Sequence, residues 1–148
     1  MATFRIERGS PLSAACAWRR LAHWEGHAAH VPLTAITVTT APPARVGTTL
    51  VARTGLGGLG FDDVMRVVRW EPPGDATPAT GRCRLEKCGR VVTGWAEIEV
   101  RPRPGGGCRV VWSGDVGVRH LPERLGPVTS RCARLLYGRI LDGLLADR

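Results

Sequence analysis

A chain of 148 residues with 43% hydrophobic composition can bury one sizeable core, so a single domain over 1–148 is expected, and no uncharged stretch approaches the ~20 residues of a membrane span. Met1 to Ser10 carry Arg5, Glu7 and Arg8 in place of an apolar leader, and the five cysteines are an odd number without a secretory signal, which predicts a cytoplasmic protein with reduced thiols. The formal charge of +8 predicts loose adhesion to polyanions and no specific nucleic-acid site: Lys87 is the single lysine among 21 basic residues, the arginines are scattered from Arg5 to Arg148, and no stripe or stacking aromatic set accompanies them.

In chain order, "TFRIER" (3–8) alternates Phe4 and Ile6 with charge and reads as a strand with one buried face. "SPLSAACAWRRLAHW" then opens a helix, with Ser10 as N-cap and Pro11 at the first helical position; it runs to about residue 22. A short second helix carries "HWEGHAAH" until Pro32 stops it. From Leu33 to Val118 the chain reads as six strands: "LTAITVTT", "TTLVART", "FDDVMRVVRW", "GRCRLEKC", "VVTGWAEIEVRP" and "CRVVWSGDVGV". The breaks between them, "APPARVG", "GLGGLG", "EPPGDATPATG" and "RPRPGGG", are turn chemistry. The tail from Leu121 spaces Leu125, Val128, Cys132, Leu135 or Leu136, Tyr137, Leu141 and Leu145 as a long amphipathic helix, with a kink expected at Gly126-Pro127.

"GLGGLG" places Gly55, Gly57 and Gly60 in the spacing of a dinucleotide fingerprint. A helix must follow to receive the pyrophosphate, and "FDDVMRVVRW" is a β-branched strand sequence, so the segment reads as a hairpin and no cofactor is assigned.

The order strand, two short helices, six strands and long helix suits an α+β fold in which a curved antiparallel seven-stranded sheet wraps a C-terminal helix. "AWRRLAHWEGH", "VGTTL", "VVRWEPP", "WAEIEVRP" with "GGGCRVVW", and the terminal helix together resemble the SRPBCC superfamily, the helix-grip fold of START lipid-transfer domains, pollen-allergen-like proteins and polyketide cyclase/dehydrases. The resemblance covers nearly the whole chain and implies a pocket between the concave sheet face and the last helix, suited to an apolar small molecule such as a lipid or polyketide. In pollen-allergen-like members the glycine-rich loop joins the first two strands after the helices. Here "GLGGLG" follows the second of them, so no binding role is carried over to it.

Strand parity selects the residues that would line such a pocket. Ala96, Ile98 and Val100 oppose Trp95, Glu97 and Glu99, placing the apolar set inward and Trp95 outside. Cys108, Val110 and Trp112 face inward on the last strand, as do Cys83 and Leu85 on the hairpin before it and Ile36, Val38, Leu50 and Ala52 earlier. In "FDDVMRVVRW", Met65 and Val67 fall on one face and Val68 and Trp70 on the other, a conflict that a bulge near Arg69 would reconcile. The expected ligand-contacting set is Trp24, His27, Ile36, Val38, Leu85, Ala96, Ile98, Val110, Trp112, Leu125, Val128 and Cys132.

His23, His27 and His30 fall within an arc of about 60° if helical, wide enough for two ligands to one metal. A zinc site needs a Cys, Asp or Glu brought in from elsewhere, Glu25 points away, and Gly26 and Pro32 keep the helix short and poorly fixed, so no metal is assigned and His27, on one face with Trp24 and Val31, reads as a polar rim. No catalytic motif is present, and Asp62-Asp63 diverge as strand neighbours. Three functions follow. The first is binding of a hydrophobic small molecule; the second, cyclase or dehydratase chemistry in the same cavity; the third, a partner-binding regulatory module for which Trp95 is the candidate exposed patch.

Overall fold

Alternating burial along Ala2–Ser10, with Phe4 and Ile6 inward, makes β1 an edge strand with one face on the core. The computed structural model describes residues 2–56, 58–74 and 80–146. β1 extends to Ser10 because it is laddered to β7 (Cys108–Val118) as far as Ser10↔Cys108, so Ser10 and Pro11 do not open the helix. Ser10 Oγ accepts from the Leu12 N–H at 3.1 Å. Ser13 takes the cap, accepting from the Cys16 N–H at 3.1 Å at the head of α1 (Ala14–Ala22). α1 buries Ala17, Trp18 and Leu21; α2 (Trp24–His27) and a 3₁₀ turn, Ala28–His30, follow before Pro32.

The remaining strands are β2 (Thr34–Val38), β3 (Thr49–Leu56), β4 (Leu59–Glu71), β5 (Gly81–Cys88) and β6 (Val92–Pro102), each antiparallel to the next, and β6 to β7. The sheet order β1-β7-β6-β5-β4-β3-β2 puts β1 and β2 on opposite edges, so the segment carrying α1 and α2 must cross the sheet between them. β3 and β4 pair as far as Gly55↔Gly60 and Leu56↔Leu59, and "GLGGLG" runs into β4 and not into a helix; Gly57 lies outside the described residues, as do positions 75–79 of the β4–β5 connection.

The parity conflict in β4 is resolved by a bulge. Pairing passes from Val67↔Leu85 to Arg69↔Arg84, leaving Val68 as the extra residue. Met65, Val67 and Trp70 thereby share the inward face, and Trp70 meets Trp18 of α1 with ring centroids 5.1 Å apart. On the opposite face the arginines pair with carboxylates: Arg82 and Arg101 with Glu99, Arg84 with Glu97, Arg5 and Arg109 with Glu7. Trp95 lies there as its parity requires, and the Arg84 guanidinium covers its ring at 4.1 Å, so it offers no open apolar patch.

α3 (Gly126–Leu144) packs against the concave face after a 3₁₀ turn at Glu123–Leu125. Gly126-Pro127 is therefore the start of the helix and not a kink, because a proline in the first turn loses no intrahelical hydrogen bond. Tyr137 stacks on Phe4 at 4.8 Å, Arg8 Nε donates to Asp142 at 2.8 Å, and Arg20 donates to the carbonyls of Leu144 and Ala146, tying α3 to β1 and α1. Among the described residues no helix is long and apolar enough to cross a membrane.

Candidate functional site

Between α3 and the concave face lies a cavity of about 390 Å³, within the range of small-molecule sites. Trp24, His27 and Val31 wall it from the α2 region; Ile36, Met65, Leu85, Ala96 and Trp112 from the sheet; Cys132, Tyr137 and Ile140 from α3. The lining residues left exposed, Phe61 at 39%, Val118 at 37%, Leu136 at 37% and Cys132, mark its opening.

Of the residues expected here from sequence, Trp24, His27, Ile36, Leu85, Ala96, Trp112 and Cys132 come together on these walls, whereas Val38, Ile98, Val110, Leu125 and Val128 do not. Ile98 and Val110 face inward, but at the end of the sheet that α1 covers: Ile98 closes against Trp18 and Leu21, and Val110 is fully buried. Val38 packs at the edge of the core. Leu125 belongs to the 3₁₀ turn, outside the helical phase that begins at Gly126. Val128 precedes the first helical position that reaches the cavity, Thr129, and is 58% exposed.

A continuous line of rings crosses the cavity. Trp24 and His27 lie 5.6 Å apart, His27 meets Trp112 edge-on at 5.7 Å, and Trp112 meets Tyr137 at 4.6 Å. His27 is not at a rim: it is 6% exposed, with Nε2 at 2.7 Å from the Leu21 carbonyl. A carbonyl only accepts, so Nε2 carries the proton and Nδ1 holds a lone pair. Burial drives the imidazole pKa down to about 4 against the opposite pull of the Leu21 carbonyl, with His30 and His23 adding repulsion, so the ring is neutral at pH 7. The other two histidines diverge from it. His23 reaches toward Glu25 at 3.7 Å and His30 lays its ring on Gly143. Among the described residues no group of three or more His, Cys, Asp or Glu side chains is placed to hold a metal.

Sequence reasoning missed the polar centre of the wall. Lys87 continues the inward phase of Cys83 and Leu85, and its Nζ donates to Asp63 Oδ2 at 2.5 Å and to Met65 Sδ at 3.5 Å. Burial pushes the Lys87 pKa down, but the Tyr137 phenol and the Asp63 carboxylate outweigh it and hold the amine above its ordinary value, so it is a cation. The signal in the sequence was a lone lysine among arginines, at an inward strand position. Asp62 and Asp63 do diverge, Asp62 pairing with Arg53 at 3.0 Å on the other face. Three buried polar atoms of lining residues have no hydrogen-bond partner among the described residues: Trp24 Nε1, Trp112 Nε1 and Asp63 Oδ1. Each such group costs of order 1–3 kcal/mol while unsatisfied.

Over residues 1–146 the sequence matches the family described as polyketide cyclase / dehydrase and lipid transport. The chain belongs to that family. No curated protein matches it. Solved structures with the same fold include TTHA0849 from Thermus thermophilus, at 17% identity and TM-score 0.72 over 96% of this chain and 93% of that one. The human StarD13 lipid transfer and protein localization domain aligns at 8% identity and TM-score 0.73, covering 99% of this chain and 78% of its own. The Zhui aromatase/cyclase from a Streptomyces species aligns at 13% identity and TM-score 0.64, covering 97% and 90%. At these identities the likeness is one of fold. This member of the polyketide cyclase / dehydrase and lipid-transport family thus carries the helix-grip architecture, with its cavity between sheet and C-terminal helix.

Proposed function

We propose that the protein binds a hydrophobic small molecule, lipid-like or polyketide-like, in the cavity between the sheet and α3. The observation that carries this reading is the line of Trp24, His27, Trp112 and Tyr137 rings in a mostly apolar cavity wall, with two buried indole N–H groups left without acceptors among the described residues. Rings of this kind offer large apolar area, and their unpaired donors gain a partner only if something enters. Native mass spectrometry of freshly purified protein, followed by organic extraction, is the direct test. Titration of a fluorescent apolar probe complements it: Trp112→Phe keeps the fold and weakens binding several-fold, whereas wild type that takes up no apolar probe ends the reading.

A second reading, cyclase or dehydratase chemistry, is favoured by one observation: His27 is a neutral imidazole in the cavity wall with a free Nδ1. Such a base can take the α-proton of a bound poly-ketone; the enolate carbon attacks the carbonyl that the cavity shape brings to it, the alkoxide takes the proton back from the imidazolium, and loss of that hydroxyl with a second α-proton as water completes the ring. Incubation with a poly-β-ketone thioester, read by mass spectrometry for loss of water in wild type but not in His27→Ala, tests it. The same result in both proteins removes it.

A further inference from the structure

We propose that the cavity selects a neutral, hydroxyl-bearing apolar ligand over a carboxylate, with Asp63 accepting the hydroxyl; this rests on the cavity being the ligand site proposed above. Lys87 alone would suggest the reverse, because a single buried cation in an apolar wall invites an anion. Two observations turn the preference round. Asp63 Oδ2 sits 2.5 Å from Lys87 Nζ and neutralises it, and Met65 Sδ at 3.5 Å takes a further direction of the ammonium. The pair also presents its acidic member: Lys87 keeps 2% of its side chain accessible and Asp63 keeps 15%. An entering carboxylate would be desolvated beside Asp63 with no unpaired cation to receive it. An entering ammonium would meet the Asp63 carboxylate but would have to be desolvated in a cavity whose pair is already neutral, with Lys87 repelling it from behind.

A hydroxyl meets neither penalty. Asp63 Oδ1 has no donor among the described residues, a carboxylate accepts several hydrogen bonds, and a bond to a charged acceptor is stronger than one between neutral groups. Asp63 lines the cavity while its Oδ1 is buried, so receiving a hydroxyl requires the carboxylate to turn about its Cβ–Cγ bond with Lys87 following. The indole N–H groups of Trp24 and Trp112 are donors only, so they suit a carbonyl or ether oxygen elsewhere on the same molecule. The ligand class is then an extended or fused-ring apolar compound with one alcohol, phenol or enol and an oxygen acceptor.

Three probes with one ring system separate the possibilities: 1-pyrenemethanol, 1-pyrenecarboxylate and 1-methylpyrene, titrated at pH 7 and read by energy transfer from tryptophan. In wild type the alcohol binds about ten-fold tighter than the carboxylate and several-fold tighter than methylpyrene. Asp63→Asn leaves Lys87 uncompensated and reverses the order in favour of the carboxylate. Should that variant fail to fold, the double replacement Asp63→Leu with Lys87→Met removes both charges, and it binds the alcohol and methylpyrene equally. Wild type that binds the carboxylate as tightly as the alcohol, or an alcohol preference that survives the double replacement, overturns the inference. If all three pyrenes bind wild type without rank, the cavity reading stands and only this inference falls; if none binds, both fall.

Discussion

Replacing His27 with Gln tests the buried imidazole directly, because Gln can still donate to the Leu21 carbonyl but cannot titrate. In the unfolded chain His27 has a pKa near 6.5, and in the folded protein burial lowers it to about 4. A depressed folded value means the unfolded chain takes up the proton first, so the stability is fully present above pH 6.5 and is lost as pH falls from 6.5 toward 4. At about 1.36 kcal/mol per pKa unit the whole loss is about 3 kcal/mol, of which about 2 kcal/mol falls between pH 7 and pH 5. That is a large share of the ~5–15 kcal/mol that holds a domain folded. Urea unfolding followed by tryptophan fluorescence at pH 7, 6 and 5 gives the two profiles, and groups common to both proteins cancel in the difference. Wild type is expected to lose about 2 kcal/mol more than His27→Gln between pH 7 and pH 5. Parallel profiles would refute the burial argument and, with it, the neutral base in the cavity wall.

Thiol labelling should divide the cysteines by burial: exposed Cys88 and Cys132 react first, while Cys83, its thiol pushed up to about 12 mainly by burial, and buried Cys108 react only after unfolding. All five should be titrated in denaturant without reductant, and fewer would mean a disulfide. Ile98→Ala, at a site 1% exposed beneath α1, should cost about 2–5 kcal/mol in urea unfolding and leave pyrene affinity unchanged; a selective loss of binding would put Ile98 in the cavity wall after all. Gly94 adopts φ +115°, and a Cβ there would lie 1.8 Å from the Asp115 carbonyl oxygen. Gly94→Ala should therefore destabilise by at least about 3 kcal/mol, while Gly126→Ala, which meets nothing within 4 Å, should stay within about 0.5 kcal/mol of wild type.

Element order and part of the cavity wall could be read from the chain alone, because both depend on local periodicity. Alternation in "GWAEIEVRP" and "CRVVWSG" sends Ala96 and Trp112 inward whatever the sheet pairs with, and the missing helix after "GLGGLG" is a local fact. Sequence also held the lone lysine and the inward phase of its strand, which in combination would have placed Lys87 in the core. What sequence could not supply were quantities set by pairing and docking. The ladder with β7 carried β1 through Ser10 and moved the cap to Ser13; the pairing of β4 with β5 located the bulge at Val68. The position of α1 over one end of the sheet closed Ile98 and Val110 into packing, and the start of α3 at Gly126 left Leu125 and Val128 outside the cavity. Asp63 and Lys87 are 24 residues apart, and His27 comes to Trp112 from across the sheet. Periodicity fixes which face a side chain occupies, but only the register between strands and the docking of helices decide which side chains on that face meet.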